Sequence, residues 1–287
     1  MNSISEIPKQ NSQDAWSMLY LALAAEWKSN FGLSGEELIR EAIRESGIRQ
    51  GRERRNALAA AGYAADVKAL FNSRFGLARD PRLKESVLEE TSQVRRFEVY
   101  LDPVAGMFLK KNRLEEGFWF YQEYLYGIFS GYTAGVGQMH INRIMTCPRD
   151  LYGEYACLIR PANQSEAEAK ITFGGESAPS GEADLPAFLE ELTAYLIGNL
   201  YLATAERFQQ AADDALSRAF RSYCKELIVW LTEKAKATAS ALNRNYLQNN
   251  TAFPLAEEKF ESLSAAPGAT KLYGKQFLAP MLRYCAE

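Results

Sequence analysis

The chain has 287 residues, 47% hydrophobic and 24% charged, and its 33 Lys and Arg are interleaved with 36 Asp and Glu for a net charge of −3. This is the composition of a globular protein with a sizeable core, and it lacks the basic stripe that phosphate backbones require, which excludes nucleic acid as a partner. The four cysteines, Cys147, Cys157, Cys224 and Cys285, form no CxxC pair, which fits reduced thiols better than a disulfide scaffold or a zinc knuckle, and His140 is the single histidine, so a multi-histidine metal site within one chain is excluded.

The opening MNSISEIPKQNSQD is polar and no apolar run reaches the length of a membrane span, so a cytoplasmic protein without membrane contact is expected. Residues 12–31 read as a helix with Trp16, Leu19, Leu23 and Trp27 near one face. Residues 34–61 read as a longer one, opened by Ser34 as cap with Glu37 at the capping-box position. Counting by four along it gives Gly35, Ile39, Ile43, Gly47 and Gly51, a row on nearly one face. Two glycines that each cost about 1 kcal/mol relative to Ala predict a close approach there, by the helix at 114–130 or by a ligand.

Helices are expected at 63–74 and 82–92, followed by a change of period. In RRFEVYLDP, Phe97, Val99 and Leu101 alternate with Glu98, Tyr100 and Asp102, a half-buried strand that Pro103 ends. Helix returns at 104–111 and 114–130, the second too aromatic on all sides to lie freely in water. QMHINRIMT and EYACLIRP, joined by the turn-favouring CPRDLYG, form a hairpin, and EAKITFGG could add a fourth strand. The expected fold class is therefore α+β, mostly helical, with a small antiparallel sheet in a first domain of residues 1–174. A linker at 175–183 leads to an all-helical extension at 184–287, with helices at 184–209, 211–246, 254–264 and 272–284. The extension carries an echo of the start: LYLATAERF from Leu200 resembles LYLALAAEW from Leu19, with Cys224 where the first copy has Gly47. It could be a degenerate partial repeat.

GEELIREAIRESGIRQG, the strand ending in Asp-Pro, the aromatic helix ending in SGY and the late YACLIRP, in that order, resemble the L-2-amino-thiazoline-4-carboxylic acid hydrolase family over about residues 15–162. The resemblance implies an α+β fold and hydrolytic opening of a small cyclic amidine or related heterocycle without a redox cofactor. It also exposes two replacements. Asp102-Pro103 stands where the family often has Cys-Pro, and Tyr124-Leu125 where it often has Cys-Asp, while the later cysteine survives as Cys157. A reaction that used the missing thiols cannot run here by the same route.

The replacements suggest other chemistry. Asp102 and Glu98 fall on one strand face with Tyr100 between them, either as a general acid/base pair or as the wet face of the strand. His140 and Asn142 alternate along the next strand, suited to a carboxylate-held base and a substrate contact, or simply to the surface. Tyr121, Tyr124 and Tyr132 could orient a planar ligand from the aromatic helix, whose bland reading is a helix buried on two sides. Cys157 reads as a packed thiol, and a Cys147–His140 dyad is disfavoured by their odd separation. Arg40, Arg44 and Arg49 read as a solvated face pairing with Glu36 and Glu45, with an anion site for a substrate carboxylate as the other use.

The function expected from these residues is a hydrolase-like enzyme acting on a small heterocycle through Asp102, His140, Glu98 and Tyr124, with Tyr121, Tyr132, Tyr100 and Asn142 binding substrate and no metal or cofactor. The alternatives are a non-catalytic ligand-binding or dimerising protein that kept the fold, and a biosynthetic enzyme that closes rings. Leu227, Ile228, Trp230 and Leu231 exceed one helical stripe, so a homodimer could form through the extension.

Overall fold

The computed structural model describes residues 6–286. Helix α1 (Ile7–Phe31) carries Pro8 in its first turn, where a missing N–H costs nothing, and ends at Gly32 with φ 57°. Helix α2 (Leu33–Ala60) follows at once. Its start is set by Gly32, whose carbonyl accepts from the amides of Gly35 and Glu36, and not by the Ser34 cap expected from the sequence. After α3 (Val67–Asn72), capped by the Asp66 side chain on Ala69 N at 2.7 Å, comes β1 (Lys84–Glu90).

Strand β1 corrects the helix expected at 82–92. Its residues favour helix locally, but antiparallel pairing with β2 (Val94–Leu101) overrides that preference. Helices α4 (Pro103–Lys110) and α5 (Leu114–Tyr132) precede the hairpin of β3 (Gln138–Arg143) and β4 (Gly153–Leu158). The sheet is antiparallel throughout in the order β1-β2-β4-β3. The strand expected in EAKITFGG is instead α6 (Glu166–Phe173), begun by Ser165 as cap, which accepts from Glu168 N at 3.3 Å. Residues 175–183 lie along the segment 62–73: Ala64 N donates to Glu176 O at 2.8 Å and Gly181 N to Asn72 O at 2.9 Å.

Helix α7 (Leu185–Phe208) and helix α8 (Ala211–Ala237) follow, and then α9 (Arg244–Asn250), α10 (Glu257–Ser264), α11 (Pro267–Tyr273), a π-turn at Gly274–Leu278 and α12 (Ala279–Tyr284). The single helix expected over 211–246 stops at Ala237 because Ala239 turns to φ 54° and Asn243 caps a new helix on Tyr246 N. The architecture is thus α+β and mostly helical, with one small antiparallel sheet.

The chain divides into two compact units, one from the described residues of Met1–Ala42 and Leu189–Glu287, the other Ile43–Phe188. The first helix therefore groups with the C-terminal helices and not with the sheet. Tyr223 of α8 donates to Ala15 O of α1 at 3.0 Å, and Phe220, Tyr273 and Phe277 build an aromatic core beneath them. On α8, Leu227 and Leu231 are buried, which leaves Ile228 and Trp230 half-buried and Val229 exposed.

In the sheet-bearing unit, Phe97 and Val99 of β2, Tyr155 and Cys157 of β4 and Met139 of β3 point inward onto Phe129 and Tyr132 of α5 and Leu70 of α3. On its other side α5 crosses α2 almost backbone to backbone. A Cβ on Gly47 would sit 2.8 Å from Tyr124 O, one on Gly51 2.0 Å from Ile128 O, and one on Gly127 or Gly131 within 2.3 Å of the Arg44 or Ile48 carbonyl. Four glycines, two from each helix, make that crossing. A Cβ on Gly35, at the other end of the same row, would sit 2.1 Å from the Trp27 carbonyl oxygen of α1.

Candidate functional site

The eight residues singled out from sequence occupy four separate places. Glu98, Tyr100, His140 and Asn142 lie on the outer face of the sheet. There the Tyr100 hydroxyl donates to the Glu98 carboxylate, and Asn142 Nδ2 donates to Glu154 Oε1 at 3.0 Å. Tyr100 and His140 are exposed, and the strand register sets Glu98 opposite Glu154 and His140 opposite Ala156.

Asp102 parts company with that face. Strand β2 ends at Leu101, and Asp102 turns to cap α4, accepting from Val104 N at 2.8 Å while Pro103 fills the first helical position. Its second oxygen accepts from the hydroxyl of Tyr121 at 2.5 Å. Tyr121 is 5% exposed whereas Tyr100 is 53% exposed, so Asp102 belongs to an interior pair and Glu98 to a surface one. Burial raises the Asp102 carboxyl above its ordinary range, an effect that the Tyr121 bond and the helix amides oppose and Asp80 nearby reinforces. Burial first, then the Asp102 charge, raises Tyr121 far above the ordinary phenol value. The pair can hold a proton between two reluctant acids, and in this corner it also fixes α4 onto α5.

Tyr124 faces α2, where its hydroxyl donates to Gln50 Oε1 at 2.8 Å, and Gln50 Nε2 in turn donates to Phe188 O at 2.9 Å. Tyr132 is fully buried and donates to the Asp66 carbonyl at 2.8 Å, pinning the start of α3. Burial raises both phenols. Cys157 is 1% exposed in the sheet core, and its thiol is pushed up to about 12 by burial, which suits packing and not nucleophilic attack.

A cleft of about 280 Å³ opens beside the glycine crossing, lined by Arg44, Ile48, Tyr126, Phe129, Ser130 and Met139 together with Gly127 and Gly137. In the sequence Arg44 is one of three helix-face arginines, with Arg40 and Arg49. Arg40 does pair with Glu36 and Arg49 with Glu53 along α2, at 3.2 and 3.3 Å. Arg44 instead crosses to Glu123 of α5, its Nε at 2.7 Å from Oε2. The readable signal was the glycine row, since whatever helix fits it must bring its own flanking residues to Arg44. The helical unit has a second cleft, of about 430 Å³, with Arg244, Glu257 and Glu258 around Leu247, Phe253 and Leu282. Neither cleft is lined by any of the eight residues.

Among the described residues, no cluster of three or more His, Cys, Asp or Glu could hold a metal ion, and no helix is long and apolar enough to cross a membrane. Comparison with protein-family models, with curated proteins and with solved structures gives no match to this chain.

Proposed function

We propose that the chain binds a small molecule and does not turn it over, the sheet-bearing unit having kept a ligand-holding frame without an assembled catalytic set. The dispersal of Asp102, His140, Glu98 and Tyr124 over three places carries this reading. A general acid and base must reach one substrate, within about 2.6–3.2 Å of the protons they move. Here Asp102 caps a helix and Tyr124 holds Gln50, while Glu98 and His140 look outward from the sheet. The glycine crossing supports the frame, because two helices locked at backbone distance keep a cleft beside them at constant shape.

The family resemblance supplies the ligand class to try first, small heterocycles and amino-acid derivatives. The test is a thermal-shift and ligand-observed NMR screen of the full chain against cyclic amidines, thiazolines and related derivatives, run beside a turnover assay on the same compounds. Saturable binding with no product is expected. Turnover that disappears in Asp102→Asn or His140→Ala, with folding retained, would overturn the reading in favour of hydrolysis, and no saturable binding across the panel would reject it outright.

A further inference from the structure

The proposed binding role leaves the ligand's chemistry open, and the inference made here rests on that role. Arg44 Nε and Nη2 both donate to one oxygen of Glu123. The Glu123 side chain is 4% exposed and that of Arg44 is 51% exposed. The carboxylate is thus inside and the guanidinium at the rim. Two donors on one acceptor fix the plane of the fork, and among the described residues Arg44 Nη1 makes no hydrogen bond. Within the same cleft, Phe129 and Met139 are buried apolar surface, Ile48 is half-buried, and Ser130 contributes a hydroxyl.

Two glycines line this space, and neither has room for a side chain. A Cβ on Gly127 would press on the Arg44 carbonyl at 2.3 Å, and one on Gly137 would meet the Phe129 ring at 2.7 Å. The volume of about 280 Å³ is just under the range of pockets for drug-sized ligands, so the occupant is small. Its charge follows from the rim. An ammonium would face the guanidinium edge, and a doubly charged phosphate would find one arginine already half neutralised by Glu123.

We infer that the cleft takes a monocarboxylate with an apolar body. The carboxylate accepts from Arg44 Nη1 and the Ser130 hydroxyl, and the body lies against Phe129 and Met139. Glu123 acts as a positioning residue that holds the guanidinium toward the cleft.

The experiment is an NMR titration of the full chain with phenylacetate, phenylacetamide and phenethylamine. Phenylacetate is expected to bind saturably and at least tenfold more tightly than phenylacetamide, with the largest shifts at the amides of Gly127, Ser130 and Gly137, and phenethylamine more weakly still. Arg44→Gln should abolish the tenfold preference. Because that change takes the guanidinium away from the buried Glu123, Ser130→Phe, which fills the cleft from its half-buried wall, is the second variant, and it should remove binding of all three while the rest of the spectrum persists. Equal binding of acid and amide, or shifts centred elsewhere, would overturn the carboxylate assignment while leaving ligand binding intact. Absence of binding by all three would overturn the assignment too, and the binding role itself would fall only with the wider panel.

Discussion

Trp27 of α1 and Thr204 of α7 lie 177 residues apart in sequence and hydrogen-bond to each other, Nε1 to Oγ1, at 2.8 Å. The same shift carries Phe31 onto Phe208, and those rings stack with centroids 4.7 Å apart. It carries Asn30 onto Arg207 and Glu41 onto Arg218. Arg207 donates to Glu41 at 2.9 Å, and Arg218 donates to Asn30 at 2.6 Å. Each hairpin, α1–α2 and α7–α8, turns on one residue of positive φ, Gly32 at 57° and Gln209 at 49°. Contacts in which residues pair with their own counterparts are those of an isologous interface. The echo visible in sequence set Leu19–Trp27 on Leu200–Phe208, one helical turn away from this register. A slip of one turn leaves a helix's faces nearly unchanged, so the pattern survives it.

Beyond the turn the hairpins differ. Helix α2 presents Gly47 and Gly51, and α8 presents Cys224 and Ile228 at the same places in the shifted register. Cys224 is 4% exposed and packs by side chain, its sulfur 3.9 Å from Phe277 O. Gly47 and Gly51 meet bare backbone. Glycine is therefore a requirement of what packs against α2, not of the hairpin itself. The sharpest way to break this contrast is Gly51→Leu, which should cost about 3 kcal/mol or more by overpacking against Ile128 O, read as a fall in the urea midpoint. Cys224→Ala should cost only about 1 kcal/mol. Near-equal losses would show that the two faces are packed alike.

The shared half of the comparison predicts a smaller effect. Thr204→Val leaves the buried Trp27 N–H without its acceptor and should destabilise by about 2 kcal/mol. The Thr204 hydroxyl already donates to Leu200 O at 2.6 Å, so its role toward Trp27 is that of acceptor. A double-mutant cycle with Trp27→Phe should return a coupling of about 1 kcal/mol, and additive losses would reduce the contact to mere proximity.

The units also differ in their carboxyls with raised proton affinity. Asp66 and Asp102, both raised chiefly by burial, belong to the sheet-bearing unit. The folded state then holds the Asp102 proton more tightly than the unfolded chain. Stability from this group is full below its ordinary value near 3.8 and is lost as pH rises through the higher folded value. Asp102→Asn, which keeps a capping oxygen, should flatten that slope and equal or exceed the parent in stability at pH 8. An unchanged slope in pH-dependent urea melts would place the titration elsewhere.

What could be read from sequence was whatever had a local period or a local clash. The strand at Phe97–Leu101, the hairpin around CPRDLYG and the glycine row on α2 all announce themselves within a dozen residues, and the structure has each of them. Strand β1 was not legible because Lys84–Glu90 is helix-prone by itself and is a strand only beside β2. The segment EAKITFGG is a helix and not the expected fourth strand because Ser165 caps Glu166–Phe173. At the candidate site the residue types were visible and their convergence was not. Alternation put Glu98, Tyr100 and Asp102 on one face, but the strand ends a residue before Asp102, and that single step sends its carboxylate to Tyr121. The pairing of Arg44 with Glu123 joins residues 79 apart and needed the helix crossing to be known first.

The smallest effect tests whether the paired hairpins are equivalent in energy as well as in geometry. Arg207 and Glu41 are 43% and 51% exposed, so Arg207→Ala should change stability by no more than about 0.5 kcal/mol. Arg218, its partner's counterpart, reaches Glu26 besides Asn30, and that carboxylate is 20% exposed, whereas the second carboxylate beside Arg207, Glu37 at 3.9 Å, is 71% exposed. Arg218→Ala should therefore cost more, about 1 kcal/mol, and the difference between the two variants should shrink in 1 M NaCl, where the screening length falls to about 3 Å. A difference that persists at high salt would assign it to packing of the Arg218 stem, and the two ends of the interface would then differ in burial and not in charge.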